Sequence, residues 1–248
     1  MKLSTWNLRS SNNHQEKSIN FLLSLRIDIM CLQELTEQSI EYLMGMQEYS
    51  VSYTPDYYHK KKVFFNAIVS RLNPLISDTI SFKTKIKPSI LTRLFKKKRG
   101  VSFLCNDYAL DNHHSIRIFN THLNLDMGPR QRLAQLSEIC SHFITGDKTH
   151  NVICGDLNSF ARIPLNFFIG PLFKFVLKDY KTNELKFLAS SIKKYNLKLG
   201  LKKTTTFPLL HLHLDHILIP EYWHNYQTRV YRRKKGSDHR LIVLDAQL

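Results

Sequence analysis

The strongest constraint on the fold is an alternation that runs the length of the chain. Short runs rich in β-branched and apolar residues keep giving way to stretches with helical spacing. Leu3 to Asn7, Asp28 to Leu32, Asn66 to Ser70, Val101 to Leu110, Ser115 to Thr121, Asn151 to Cys154, Leu214 to Ile219 and Leu241 to Leu244 read as strands. Residues 14–26 carry Ile19, Leu22 and Leu23 at helical spacing, and a second helix is expected through 36–46. The clearest helix begins near Pro129, a favoured first-turn residue, and is expected to stop at Gly146, with Leu133, Leu136, Cys140, Phe143 and Ile144 as its buried stripe. There is no internal repeat and no low-complexity linker. Strands and helices interleave to the last residue, which predicts one α/β domain over 1–248.

The polar residues fall where such a fold keeps its chemistry. Asn7 ends the first strand, Glu34 the second, and His122 follows the strand that reaches Thr121. Asp156 and Asn158 follow the strand ending at Cys154, Asp215 and His216 lie on the strand near Leu214, and the last loop holds Ser237-Asp238-His239. Strand ends and the loops beyond them carry ligand sites in α/β proteins, so these groups are expected to converge. Glu34 and Asp238 are hard oxygen ligands and Asn7 is a neutral one, a set that suits Mg²⁺, with Mn²⁺ as substitute, rather than zinc. Asp156 would orient or deprotonate a water, and Asn158 would hold the phosphate or the nucleophile. Asp215 would orient His239, which would donate to a phosphate oxygen. Singly, each has an ordinary reading: Asn7 as a cap, Glu34 as a helix-start residue, His122 as a core histidine, Gly155-Asp156 as a turn. Their order and shared position argue for a site.

Charge narrows the partner. Lys and Arg number 36 against 20 acids, a formal net charge of +16 with neutral His. That predicts an anionic partner (nucleic acid, an acidic lipid surface or a phosphorylated small molecule), the alternative being a merely basic surface. Three basic runs stand out: Lys60–Lys62, Lys96–Arg99 and Arg232–Lys235, the third leading directly into Ser237-Asp238-His239. Lys96, Lys97, Arg233 and Lys234 are the substrate-binding candidates within them, though charge runs are commonly solvated faces. Tyr57, Tyr58, Phe64 and Phe65 flank the first run, as single-strand binding would need; the alternative is a hairpin core. The apolar stretch 163–177 reads as a core helix interrupted at Gly170-Pro171, or else as a substrate- or lipid-facing loop. Cys31, Cys105, Cys140 and Cys154 lack C-x-x-C spacing and are expected as reduced core residues. No signal peptide and no apolar run of about 18 residues is visible, so no transmembrane segment and a cytoplasmic location are expected, with signal-less export as the alternative. No protein partner is deducible.

Taken together, Trp6-Asn7, Leu32-Gln33-Glu34, Asn66-Ala67-Ile68-Val69-Ser70-Arg71, Asn120-Thr121-His122-Leu123 with Arg132 and Gln135, Gly155-Asp156-Leu157-Asn158, Leu214-Asp215-His216-Ile217 and Ser237-Asp238-His239 occur in a recognisable order. The chain resembles the endonuclease/exonuclease/phosphatase superfamily from end to end. The resemblance implies a four-layer αββα sandwich of two facing mixed β-sheets with outer helices. It also implies divalent-metal hydrolysis of a phosphoester by in-line attack of water. Glu34 is then the principal metal ligand, with Asn7 assisting and Asp238 at the metal or phosphate side. Asp156 and Asn158 handle the nucleophile and phosphate, Asp215 pairs with the catalytic His239, His122 contacts the phosphate or leaving group, and Arg132 binds substrate. The Thr-His-Leu form is more similar to the sphingomyelinase, deadenylase, inositol-phosphatase and tyrosyl-DNA-phosphodiesterase branches than to abasic-site endonucleases, which typically carry a tyrosine there. Arg240-Leu241 after Ser-Asp-His departs from the usual apolar residue and proline. A nuclease acting on DNA or RNA is the leading expectation. A phospholipid or phosphoinositide phosphoesterase at an anionic membrane is the second, and a catalytically silent binding module the third.

Overall fold

The computed structural model describes residues 1–59, 61–84, 97–99, 102–146, 148–173, 175–201, 204–232 and 236–247. Its strands are β1 (Lys2–Asn7), β2 (Ile29–Leu35), β3 (Ser50–His59), β4 (Lys62–Ser70), β5 (Ile76–Ser81), β6 (Lys97–Arg99), β7 (Ser102–Ala109), β8 (Ser115–His122), β9 (Thr149–Asp156), β10 (Leu197–Leu199), β11 (Asp215–Pro220), β12 (Tyr226–Tyr231) and β13 (Leu241–Ala246). They form two sheets, ordered β12-β13-β1-β2-β4-β3-β6 and β10-β11-β9-β8-β7-β5. Each sheet is mixed, because β1 pairs with β2 and β8 with β9 in parallel while the neighbouring pairs are antiparallel. A parallel pair needs a long crossover. The helix Gln15–Ser24 lies between β1 and β2, and the helix Pro129–Cys140 between β8 and β9.

Period-two alternation sorts the side chains into layers. Leu3, Ile29, Cys31 and Ile68 from one sheet share a buried cluster with Leu104, Ile118, Val152, Cys154 and Ile217 from the other, so the sheets meet face to face. The intervening residues point outward: Trp6, Met30, Leu32 and Val69 pack under Ile19, Leu22, Ile40 and Leu43 of the helices Gln15–Ser24 and Glu37–Met44. On the far side Phe103, Phe119, Ile153 and Leu218 pack under Leu136, Ile139 and Leu188 of the helices Pro129–Cys140 and Glu184–Ser191. This is the αββα sandwich that the family resemblance implies. All four cysteines are buried and free. No helix among the described residues is long and apolar enough to cross a membrane.

Two local expectations are corrected. The helix expected to reach Gly146 ends at Cys140, with Ser141 as its cap and the Ser141 hydroxyl donating to the Glu138 carbonyl (2.6 Å). Phe143 follows in a loop, packed near Phe119 and Tyr195, while Ile144 is exposed. The stretch 163–177 is not a core helix. A short helix, Ile163–Ile169, closes at Gly170, and several of the large apolar side chains face solvent.

At the carboxyl end of β9 the backbone tolerates no side chain. Gly155 has φ +144°, and a Cβ there would lie 1.8 Å from the Thr121 carbonyl oxygen of β8. Gly155→Ala is expected to destabilise the protein by about 2–5 kcal/mol, from backbone strain plus overpacking, lowering the urea midpoint without changing the slope.

Beside it, the rings of His213 and His216 stack at 4.3 Å. Burial pushes His213 down to about 4 and His216 well below the usual imidazole range. A folded-state value below the unfolded one means that the unfolded chain binds more protons in acid, so stability falls as pH drops below about 6.5. Between pH 6.5 and pH 4.5 the native protein should lose about 2 kcal/mol more unfolding free energy than His213→Phe. Urea titrations of both proteins across that window measure the difference.

Candidate active site

The face-to-face packing brings the carboxyl ends of both parallel pairs to one side. Asn7, the last residue of β1, reaches across: its Nδ2 donates to Glu34 Oε1 (3.2 Å) and to Asp156 Oδ2 (3.1 Å). Its Oδ1 accepts from the Arg9 N–H (2.9 Å), which holds the amide in that orientation. Glu34 sits where the β2–β4 register shifts between Leu32 and Leu35, at φ +58°. A bulge re-aims a side chain at the end of a strand, and a left-handed non-glycine residue marks local strain. Glu34 Oε2 accepts from the Ser10 N–H (2.9 Å) and the Tyr57 hydroxyl (3.2 Å). Burial alone would raise the Glu34 carboxyl, but the His122 charge, the Ser10 N–H, the Asn7 amide and His239 outweigh it and hold it at about 2.

On the second sheet the register places His122 of β8 and Asp215 of β11 on either side of Asp156 of β9. Asp156 Oδ1 accepts from the Asn158 N–H (2.9 Å), and Asn158, at φ +49°, donates its side-chain amide to the Leu123 carbonyl (2.8 Å). Asp156 Oδ2 lies 3.7 Å from His122 Nε2 and 3.9 Å from His239 Nε2. Each imidazole is backed by its own carboxylate: His122 Nδ1 is 2.7 Å from Asp56 Oδ2, and His239 Nδ1 is 2.9 Å from Asp215 Oδ2. Burial lowers both histidines, but Asp56 lifts His122 to about 9 and Asp215 lifts His239 to about 10. The backbone around His239 is pinned as well. Its N–H donates to Ser237 Oγ (3.0 Å), that hydroxyl donates to the Asn7 carbonyl (2.6 Å), and the Trp6 indole donates to the His239 carbonyl (3.1 Å).

The structure thus brings Asn7, Glu34, His122, Asp156, Asn158, Asp215 and His239 together. Asp238 is partly exposed and lies 3.5 Å from Arg9 Nε. Arg132 is corrected: it does not face the site. The helix Pro129–Cys140 turns it inward, where it is 1% exposed. Its Nε and Nη2 donate to both oxygens of Glu184 (2.7 Å each), Nη1 donates to the Met127 carbonyl, and the guanidinium lies 4.3 Å from the Phe160 ring centre. Glu184 also accepts from the Ala161 N–H (3.0 Å), so Arg132 braces the loop that carries Asn158. Lys97 lies in β6, opposite His59 in the register. Lys96, Arg233 and Lys234 fall outside the described residues.

The aromatic expectation also changes. Tyr57 is buried, stacked on Phe64 at 4.8 Å, with its hydroxyl on Glu34 and on Ser10. Tyr58 is the exposed member of the set. Asp56 was not singled out in the sequence, because strand alternation would not turn both Asp56 and Tyr57 inward. The β3–β4 register shift between Pro55 and Tyr57 does so.

The donor set fits a hard divalent cation. Two carboxylate oxygens, from Glu34 and Asp156, converge on one donor atom of Asn7, a place that favours positive charge. Side-chain atoms of Asp156, Asp215 and His239 are gathered within 4.8 Å of one another as well, but His239, held protonated by Asp215, offers no lone pair to a metal. No cysteine contributes, which suits Mg²⁺ or Mn²⁺.

An αββα sandwich with carboxylates and imidazoles gathered at the central strand ends of both sheets is the framework of a hydrolytic phosphoesterase. Residues 4–239 match the Endonuclease/Exonuclease/phosphatase family, and the chain belongs to it, a family of divalent-metal-dependent phosphoesterases. A comparison with curated proteins finds no match. Among solved structures, an endonuclease/exonuclease/phosphatase from Beutenbergia cavernae superposes with a TM-score of 0.71 at 14% identity, over 100% of this chain and 71% of that one. The 3′ phosphatase NExo from Neisseria, bound to a product DNA hairpin, gives 0.65 at 17% over 100% of both chains. A humanized TDP2 of D. rerio gives 0.65 at 15%, over 98% of this chain and 97% of that one.

In the metal-free protein, the His239 imidazole should titrate near pH 10 by NMR. Asp215→Asn removes the largest charge that favours the imidazolium and leaves the burial that opposes it, while Asp156 and Asp238 remain, so the titration should fall well below that of the unaltered protein.

Proposed function

We propose that this chain, as one domain over residues 1–248, is a Mg²⁺-dependent phosphodiester hydrolase acting on nucleic acid, with Mn²⁺ able to substitute. The observation that carries the reading is the pair of carboxylate-backed histidines whose Nε2 atoms flank Asp156 beside the Asn7–Glu34 junction. Glu34 would hold the cation, joined by Asn7 once its amide turns its Oδ1 toward the place its Nδ2 now faces, with Asp238 near the rim. When bound, that cation neutralises a phosphate oxygen and stabilises the charge that builds up in the transition state.

The chain's own residues account for the remaining roles. Asp156 orients the attacking water and accepts its proton, while the Asn158 backbone N–H fixes the carboxylate and its amide sits beside the phosphate. His239, held protonated by Asp215, donates to a phosphate oxygen. His122, held protonated by Asp56, faces the same phosphate from the other side and serves the leaving group. A polymeric anion is supported by the net charge of +16; a groove of about 550 Å³ that includes Ser10, beside Glu34, is lined by Lys17, Lys61 and Lys62 but also by Glu16 and Glu37. The DNA-bound Neisseria phosphatase shares the fold and is consistent with this substrate class. A second reading, hydrolysis of a lipid phosphoester, is favoured by the exposed apolar side chains of 163–177.

A panel of nucleic acid, lipid and small phosphoesters, each assayed with Mg²⁺ and with chelator, tests the reading. DNA or RNA should be cut in a Mg²⁺-dependent manner, and His239→Ala and Asp156→Ala should each lower the rate by about 10²-fold or more. Full activity in both variants would overturn the site. Turnover of lipid alone would select the second reading, and absence of both turnover and Mg²⁺ binding would leave a binding module.

A further inference from the structure

We propose that the segment 163–177, together with the loop at 208–211, is a docking surface for an anionic phospholipid bilayer, beside the mouth of the active site. The segment is a built element. Buried Asn166 donates its amide to the carbonyls of Asp179 (3.1 Å), Tyr180 (3.2 Å) and Thr182 (2.8 Å), closing the chain into a short hairpin of helices. Its inner side is packed: Phe173 and Phe175 lie 5.3 and 6.1 Å from the ring of Phe160. The loop at 208–211 rests on the same cluster through Phe207 and Leu212, and Arg162 Nη2 donates to the His211 carbonyl (2.8 Å).

Against that packed inner side, the outer side is unusual. Phe168 is 80% exposed, Leu177 89% and Leu209 73%, with Phe167, Val176 and Leu210 exposed around them. Side chains exposed to that degree protrude rather than line a groove. Soluble proteins seldom hold a cluster of large apolar residues in water without a surface to receive it. Protruding tips suit a fluid apolar phase better than a shaped protein pocket.

Charge selects the kind of phase. The described charged side chains exposed on this hairpin are cationic: Arg162, Lys178 and Lys181. Its acid, Asp179, is buried and accepts from the Val176 N–H (3.0 Å). Phe and Leu tips with Lys and Arg around them match an interface of acyl chains below anionic headgroups. The formal charge of +16 adds to the attraction. Position adds a consequence. Phe207, which leads into the loop, has its ring 5.0 Å from that of His239, and Arg162 is four residues beyond Asn158. Docking would therefore place the site close to the lipid surface. The inference does not rest on which phosphoester the site cleaves.

Vesicle co-sedimentation of the full chain is the test, with phosphatidylcholine alone or mixed with phosphatidylserine. The unaltered protein should sediment with the mixed vesicles. Phe168→Ser with Leu177→Ser should lower its partition by about tenfold or more. That pair should leave the unfolding midpoint and the turnover of a soluble phosphodiester unchanged. Lys178→Glu with Lys181→Glu should lower partition onto the mixed vesicles by a similar factor and leave the weak binding to phosphatidylcholine alone unchanged. Unaltered protein that stays in the supernatant, or variants that bind as well as it does, would overturn the proposal. So would a dimer of the unaltered protein, seen by size exclusion, that Phe168→Ser with Leu177→Ser dissociates.

Discussion

The site depends on one contact between the two halves of the sandwich, the Asn7 amide bridging Glu34 of one sheet and Asp156 of the other. A hydrogen bond near 3 Å tolerates little sliding, so the bridge requires the sheets to hold a fixed offset. Beneath it a buried polar group secures that offset. Gln33 Nε2 donates to Asn120 Oδ1 (2.7 Å), and Asn120 Nδ2 donates to the carbonyls of Leu32 (3.0 Å) and Ala67 (2.8 Å). Apolar side chains alone would let two sheets settle at neighbouring offsets of similar energy. Buried amides penalise each wrong offset with unpaired donors and acceptors.

Strain collects at the same level of the fold. Glu34, Asn158 and Gly155 have φ +58°, +49° and +144°. Each stands where a strand must stop following its pleat to aim a group at the site. Such conformations survive only where the surroundings over-determine them. For Glu34 those surroundings are the Ser10 N–H, the Tyr57 hydroxyl and the Asn7 amide; for Asn158 they are Asp156 and the Leu123 carbonyl. The bracing by Arg132 belongs to the same task, through Glu184 and the Ala161 N–H.

These features explain what could be read in the sequence. Asn7, Glu34, His122, Asp156 and Asp215 were legible because each lies at a strand end, and strand alternation places the strands. His239 was legible because Ser237 and Asp238 accompany it in a short motif. Asp56 was not, since it turns inward only through a register shift whose cause is three-dimensional. Arg132 was misread because a motif position does not distinguish a residue that touches substrate from one that supports the loop beside it. The helix end near Cys140 was misplaced because Gly146 is the stronger local stop signal, while the actual end is closed by the less conspicuous Ser141. The stretch 163–177 stays open between core helix and exposed loop because apolar composition does not reveal which side of a short helix has a partner.

Electrostatics ties the site to the character of the whole chain. Glu34, Asp56, Asp156 and Asp215 are drawn into one small volume that is meant to receive a phosphate, and four carboxylates would repel it. His122 and His239, lifted to about 9 and 10 by Asp56 and Asp215, offset two of the negative charges. Two remain, on Glu34 and Asp156, the two carboxylates that meet at Asn7, and one divalent cation balances them. The buried site is then close to neutral, and attraction of the substrate at a distance falls to the rest of the chain, whose Lys and Arg exceed its acids by 16. The +16 charge and the acidic centre are therefore complementary: one gathers anions from solution, and the other, once its cation is bound, provides the place where a phosphoester can be held next to a water.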